Sequence, residues 1–180
     1  QLLGSQNDMA TIRLKKYKRC YFKSNINDCL AQRNHLWRNP MKFSTRLSDA
    51  VHILLFIYLN QETRLSSDQI AKSICTNPSY VRRLMAEMKE AGLIRSMRGQ
   101  ANPMLQRSPD SITLLDVYRA VEDQKPLLHL DTHTNPECGV GVNIQLALQE
   151  HYDRIQEIAE KAMGETSLQD ILDTYYRRLS

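Results

Sequence analysis

The chain has 180 residues, 42% of them hydrophobic, 24% charged and 7% aromatic, with six Gly, six Pro and four Cys. These fractions exclude a collagen-like or wholly disordered chain, and the length suits one compact domain or a small domain with appendages. The longest apolar run, Ile53 to Leu59, falls far short of the ~20 residues a membrane-crossing helix needs, so no membrane partner is expected. Cys20, Cys29, Cys75 and Cys138 show no C-x-x-C spacing. Neither a disulfide framework nor a structural zinc site is indicated, and the expected location is a reducing cytoplasm.

The net charge of +4 conceals an uneven distribution. Residues 1–40 carry 8 Lys+Arg against 2 Asp+Glu, residues 41–107 carry 10 against 5, and residues 108–180 carry 6 against 13. A basic half followed by an acidic half suits a protein that presents one end to a polyanion.

Residues 1–40 lack a sustained helical or alternating period and mix Lys15, Lys16, Lys18 and Arg19 with Asn and Gln up to Asn39-Pro40. They are expected to be a basic tail, non-native or disordered, with the fold starting at Met41. A DNA-tracking arm is the functional alternative. Ser44 is placed to cap a helix whose Leu47, Val51, Leu54 and Tyr58 form a stripe widened by Ala50, Ile53 and Ile57. Ser66-Ser67-Asp68-Gln69 has capping-box spacing and opens a short helix that breaks at Ile74-Cys75-Thr76. Cys75, in that break, is expected to pack rather than to sense. Asn77 and Pro78 then start a helix to Ala91, ended by Gly92. Its inward face is Val81, Leu84, Met85 and Met88, and its outward first turns carry Ser79, Tyr80, Arg82 and Arg83.

Two short helices joined by a tight turn have the spacing of a helix-turn-helix, with an αα-hairpin bearing solvated arginines as the bland alternative. Leu93-Ile94 begin an extended run, Arg98 to Pro103 reads as a turn, and Met104 to Arg107 return as a partner strand. That hairpin is a wing. The fold class is therefore mostly α (α+β), a winged helix-turn-helix with a small β-hairpin wing and a long C-terminal dimerisation helix. The domain reading is a tail at 1–40, a DNA-binding domain at 41–125, a sensor-like loop at 126–141, and the dimerisation helix with a last helix at 142–180.

The stretches Met41-Lys42-Phe43-Ser44, Leu65 to Ala71, Tyr80 to Leu84, Ala91 to Ser96, Arg98-Gly99 and Ile112 to Glu122 resemble the Rrf-type winged helix-turn-helix transcriptional regulators, the group of IscR, NsrR and CymR. The resemblance runs from Met41 to about Leu172. It implies a homodimer with the recognition helix in the major groove and the wing near the minor groove. Candidate DNA-binding residues are then Lys42, Ser66, Asn77, Ser79, Tyr80, Arg82, Arg83, Arg98 and Gln100. Where the family's wing has a Gly-Gly pair this chain has Ala101-Asn102, and Ala does not tolerate positive φ. Cluster-binding members carry three closely spaced cysteines after the wing, whereas residues 126–141 hold only Cys138. The chain thus resembles the branch without a cluster, and no cofactor is expected.

His129, Asp131, His133 and Cys138 are the remaining chemically suggestive set. Their ligand types suit zinc or ferrous iron, against the alternative of a polar loop without ligand duty. A Cys-His nucleophile pair lacks any accompanying oxyanion-hole or pocket motif, so no enzyme is expected. The long helix is expected to begin near Val142, with Leu148, Tyr152, Ile155, Ala159 and Ala162 as an apolar seam that either pairs two chains or packs internally. Gly164 ends it, and Thr166 or Ser167 caps a last helix in which Leu168, Ile171 and Leu172 pack back. Together these features predict a regulator, of repressor type, that binds a pseudo-palindromic operator on double-stranded DNA and responds to an unidentified small-molecule or protein effector. The alternatives are a winged-helix protein-interaction scaffold and a metal- or redox-responsive sensor.

Overall fold

The computed structural model describes residues 44–96, 102–123, 125–130 and 138–180. Lys42, Arg98, Gln100, Asp131 and His133 lie outside these residues. The first helix, α1 (Arg46–Leu59), buries Ala50, Ile53, Leu54 and Ile57 completely. The expected stripe is thereby rotated: Leu47, Val51 and Tyr58 sit at its half-buried margins. The N-cap is Thr45, without a side-chain cap bond, one residue later than expected. The Ser44 hydroxyl still accepts from Arg46 N, at 3.3 Å, and donates to Glu122 Oε1 at 2.5 Å.

The next helix, α2 (Ser67–Ile74), is opened by a complete capping box between Ser66 and Gln69. Its C-cap Cys75 adopts a left-handed conformation at φ 55° and ψ 51°, so the chain turns sharply into the following helix. Cys75 itself is half-buried. In α3 (Pro78–Glu90), Pro78 occupies the first turn and the Asn77 side chain accepts from Tyr80 N at 2.8 Å. Gly92, at φ 70°, then lets Leu93 N reach back to Met88 O at 2.9 Å. Helix α3 ends at Glu90, one residue before the predicted stop.

Strands β1 (Ile94–Ser96) and β2 (Pro103–Leu105) pair antiparallel, Ile94 opposite Leu105 and Arg95 opposite Met104. This hairpin stands at the position expected of the wing. A 3-10 turn at Pro109–Ser111 leads into α4 (Leu114–Val121), whose capping box pairs Thr113 with Asp116.

The long helix α5 (Gly139–Gly164) starts three residues before the predicted Val142, because the Cys138 sulfur accepts from Gly141 N at 3.4 Å and caps it. Helix α6 (Leu168–Leu179) returns to the core: Leu168 and Leu172 are buried, and Leu168 N donates to Ile112 O at 2.9 Å. One core therefore joins residues from α1, α2, α3, β1 and α4 with Leu168 of α6.

Candidate nucleic-acid interface

Helices α2 and α3 pack against each other and against α1, with Ile70, Ala71, Val81, Leu84 and Met88 buried between them. That packing fixes which side chains of α3 remain outside. Ser79, Arg82 and Arg83 are exposed, in the first turns of the helix. Arg82 Nη1 donates to Ser67 Oγ at 3.0 Å, and Arg82 Nη2 donates to Ser79 Oγ at 3.1 Å. Two hydroxyls, one from each helix, thus hold its guanidinium over the junction of α2 and α3. Ser67 is absent from the sequence-based set, since a contact across 15 residues leaves no spacing signal.

Ser66 and Asn77 are exposed, but their side chains are engaged as caps, Ser66 with Gln69 and Asn77 with Tyr80 N. Tyr80 departs from expectation. It is half-buried, and its hydroxyl donates to Asp49 Oδ2 at 3.0 Å. Burial and the neighbouring Asp49 carboxylate push the phenol up to about 12, so it stays protonated as a donor. The Arg83 guanidinium carbon lies 5.5 Å from the centre of the Tyr80 ring.

His52 joins α1 to α2 through a 2.9 Å contact between Nε2 and Ser73 Oγ. Burial lowers its pKa, partly countered by Asp49. The folded state therefore takes up its proton later than the unfolded chain, whose histidines titrate near ~6.5, and the difference destabilises the fold as pH falls below that value. Melting temperature is expected to drop between about pH 7.5 and about pH 5.5 by less in His52→Gln than in the parent. Equal drops would show that His52 does not contribute to this pH dependence.

Along α5 the expected seam divides. Leu148, Ile155 and Ala162 are exposed, as are Ile144 and Ile158, which extend the same open stripe. Tyr152 and Ala159 are half-buried and lie toward the flank facing α4, near Gln156 and Glu160. There Gln156 Nε2 donates to Tyr118 Oη at 3.3 Å, and Arg119 pairs with Glu160 at 3.0 Å. Tyr118 donates to the Lys125 carbonyl, and Gln156 Oε1 accepts from Leu127 N at 2.9 Å. The segment leading into residues 126–141 is thereby tied to both helices. His129 and Cys138 are exposed, and the described residues contain no group of three or more His, Cys, Asp or Glu placed to hold a metal ion. Among the same residues no helix is long and apolar enough to cross a membrane.

The architecture has relatives. Residues 43–174 match the family model Rrf2, described as an iron-dependent transcriptional regulator. YwnA of Bacillus subtilis (strain 168), named as an HTH-type transcriptional regulator, is 38% identical over 130 residues, 72% of this chain and 96% of that protein. A crystal structure described as that of a DNA-binding protein shares 38% identity at a TM-score of 0.59, across 71% of this chain and 98% of its own. CymR, the global cysteine regulator of Bacillus subtilis, superposes at a TM-score of 0.52 with 23% identity, across 73% of this chain and 95% of its own. That likeness concerns the fold alone. The matched span holds the capped helix pair, the hairpin and the long helix, and the chain belongs to the Rrf2 family of winged-helix transcriptional regulators.

Proposed function

We propose that the chain is a repressor that binds a pseudo-palindromic operator as a homodimer and carries out no catalysis. One observation carries this reading: a rigidly capped helix pair that leaves Arg82 and Arg83 exposed on the first turns of α3. A helix presenting its N-terminal turns in this way fits the major groove. Ser79 and the two arginines are the protein-side contacts of that helix, while Ser66 and Asn77 serve it as caps. Lys42, Arg98 and Gln100 complete the proposed DNA-binding set. In domain terms, 41–125 binds DNA, 126–141 receives an effector, 142–180 pairs two chains and 1–40 is a dispensable basic tail.

Pairing is proposed through Ile144, Leu148, Ile155, Ile158 and Ala162. A twofold axis would bring two such open stripes together, each interface residue meeting its counterpart's surroundings reciprocally.

The test is enrichment from a pool of random duplex DNA by the parent protein, followed by affinity measurements over a range of salt. The expected outcome is an enriched sequence with two inverted half-sites about one helical turn apart, and steep loss of affinity with salt. No enrichment and a flat salt response would make the winged domain a protein-interaction scaffold instead.

The family description is iron-dependent, and the donor set here does not fit an iron-sulfur cluster. Such a cluster takes about four ligands, mostly thiolates. Residues 126–141 contain one cysteine, Cys138, and its sulfur is engaged as the cap of α5. Protein purified without oxygen is expected to be colourless. A brown preparation with about two irons per chain would overturn this.

A further inference from the structure

We infer that Tyr80 governs operator choice indirectly: its ring is the platform that sets the Arg83 guanidinium, and Asp49 fixes that platform from its far end. The inference rests on the operator-binding reading above. By sequence Tyr80 stands among the outward residues of α3, which would make it a groove contact. The structure turns its phenol inward instead, onto a carboxylate 31 residues away on another helix.

Asp49 is the one buried charged side chain among the described residues, at 7% exposure. The same Oδ2 that accepts from Tyr80 also accepts from Thr45 Oγ1 at 3.0 Å. A buried carboxylate is an expensive filler for a contact between two helices, because an apolar side chain of similar size fills the space without the desolvation penalty. What a carboxylate supplies in addition is direction. It holds the Tyr80 hydroxyl at one place and so pins the far end of the ring.

Arg83 lies against that ring, whereas Arg82 is held by two hydroxyls. A guanidinium resting on a fixed ring loses less freedom when it forms two coplanar hydrogen bonds to a guanine edge. Asp49, Tyr80 and Arg83 thus form a chain from the core to the reading face, in which only the last member touches DNA. Tyr80 is a positioning residue.

The experiment is a double-mutant cycle, Tyr80→Leu against Arg83→Ala, measured on the duplex that the parent enriches from a random pool and on unselected duplex of equal length. In the parent background Tyr80→Leu is expected to weaken binding to the enriched duplex by about two- to fivefold, the size of an exposed cation–π contact. It should also broaden preference at the same base pair that Arg83→Ala broadens. In the Arg83→Ala background the same change should alter affinity by less than about 1.5-fold. Unselected duplex should not distinguish the variants that differ only at Tyr80.

Equal fold losses in both backgrounds would overturn the inference, since Tyr80 would then act independently of Arg83. Tyr80→Phe guards against misfolding. It keeps the ring but not the bond to Asp49, and is expected to broaden the same base pair more weakly, again only when Arg83 is present. An unchanged base preference in Tyr80→Phe together with additive losses for Tyr80→Leu, or with a Tyr80→Leu chain that does not fold, counts against the inference. Failure of the parent to enrich any sequence removes the operator-binding reading and this inference with it, whereas enrichment with additive losses removes the inference alone.

Discussion

The double variant Arg82→Ala/Arg83→Ala is expected to bind its enriched duplex at least about a hundredfold more weakly than the parent at matched salt. Each base-reading arginine is worth about 1–3 kcal/mol of discrimination, and a dimer presents two of them, so that contact alone reaches the stated loss at about 1.4 kcal/mol each, in the lower part of that range. Both side chains are exposed and neither fills the core. The melting temperature should therefore barely change, in line with the ±0.5 kcal/mol usual for surface substitutions.

The single variants should differ in kind. Arg82 is held between Ser67 on α2 and Ser79 on α3, over the junction that crosses a DNA backbone in this motif, which suits a phosphate clamp. Arg82→Ala is expected to weaken all sequences together and to lower the salt slope by about one per site. Arg83→Ala is expected to relax preference at one base pair of each half-site and to spare unselected duplex. Ser67→Ala should behave as a milder Arg82→Ala, since it removes one of the two hydroxyls that orient the guanidinium. If the double variant bound the enriched duplex as tightly as the parent, α3 would not be a recognition helix.

Features with a local cause are legible in the amino-acid sequence itself. The capping box of Ser66 and Gln69, the Asn77-Pro78 start and the stop at Gly92 each depend on residues at most three apart, and each is present in the fold. The wing strands are legible from their extended runs, although the second spans Pro103–Leu105 rather than the expected Met104 to Arg107. Helix α4 is recognisable only through family resemblance, although Thr113 and Asp116 form a capping box of the ordinary spacing. The start of α5 is not legible, because cysteine is a poor cap by propensity, and here its sulfur caps nonetheless.

Long-range contacts leave no such trace. The pairs Tyr80 with Asp49 and Arg82 with Ser67 are 31 and 15 residues apart, and nothing in either segment announces the other. Helical period groups Tyr80 with the outward Ser79, Arg82 and Arg83, and the structure makes it half-buried at the margin of that face. Its hydroxyl nevertheless turns inward, because a long side chain near the edge of a face can reach a buried acceptor that period does not reveal. The seam on α5 shows the same limit. Each step of four residues advances about 40° around a 3.6-residue helix, so Tyr152 and Ala159 lie further round toward α4 than Leu148 and Ile155, while Ile144 and Ile158 continue the open stripe.

Ile155→Asp is expected to convert a dimer into monomers, seen by light scattering as a fall from twice the 20.9 kDa of one chain to that mass. Helix α5 has no buried residue along its 26 positions, and Ile144, Ile155 and Ile158 are 53%, 46% and 60% exposed. A helix of that length extends about 39 Å at 1.5 Å per residue, and the domain touches it chiefly through α4. Within a twofold pair an aspartate at this position would be taken out of water without a donor, and its counterpart would face it with the same charge. In the lone chain the same side chain stays hydrated, so the fold should survive with little loss of stability. Operator affinity should fall with the dimer, because each separated chain keeps one recognition helix and contacts a single half-site. Random duplex should be affected less, since its binding counts phosphates rather than half-sites. A folded Ile155→Asp protein that remained dimeric would place the pairing surface elsewhere, and Ile158→Asp, one turn along the same stripe, decides whether the stripe as a whole is involved.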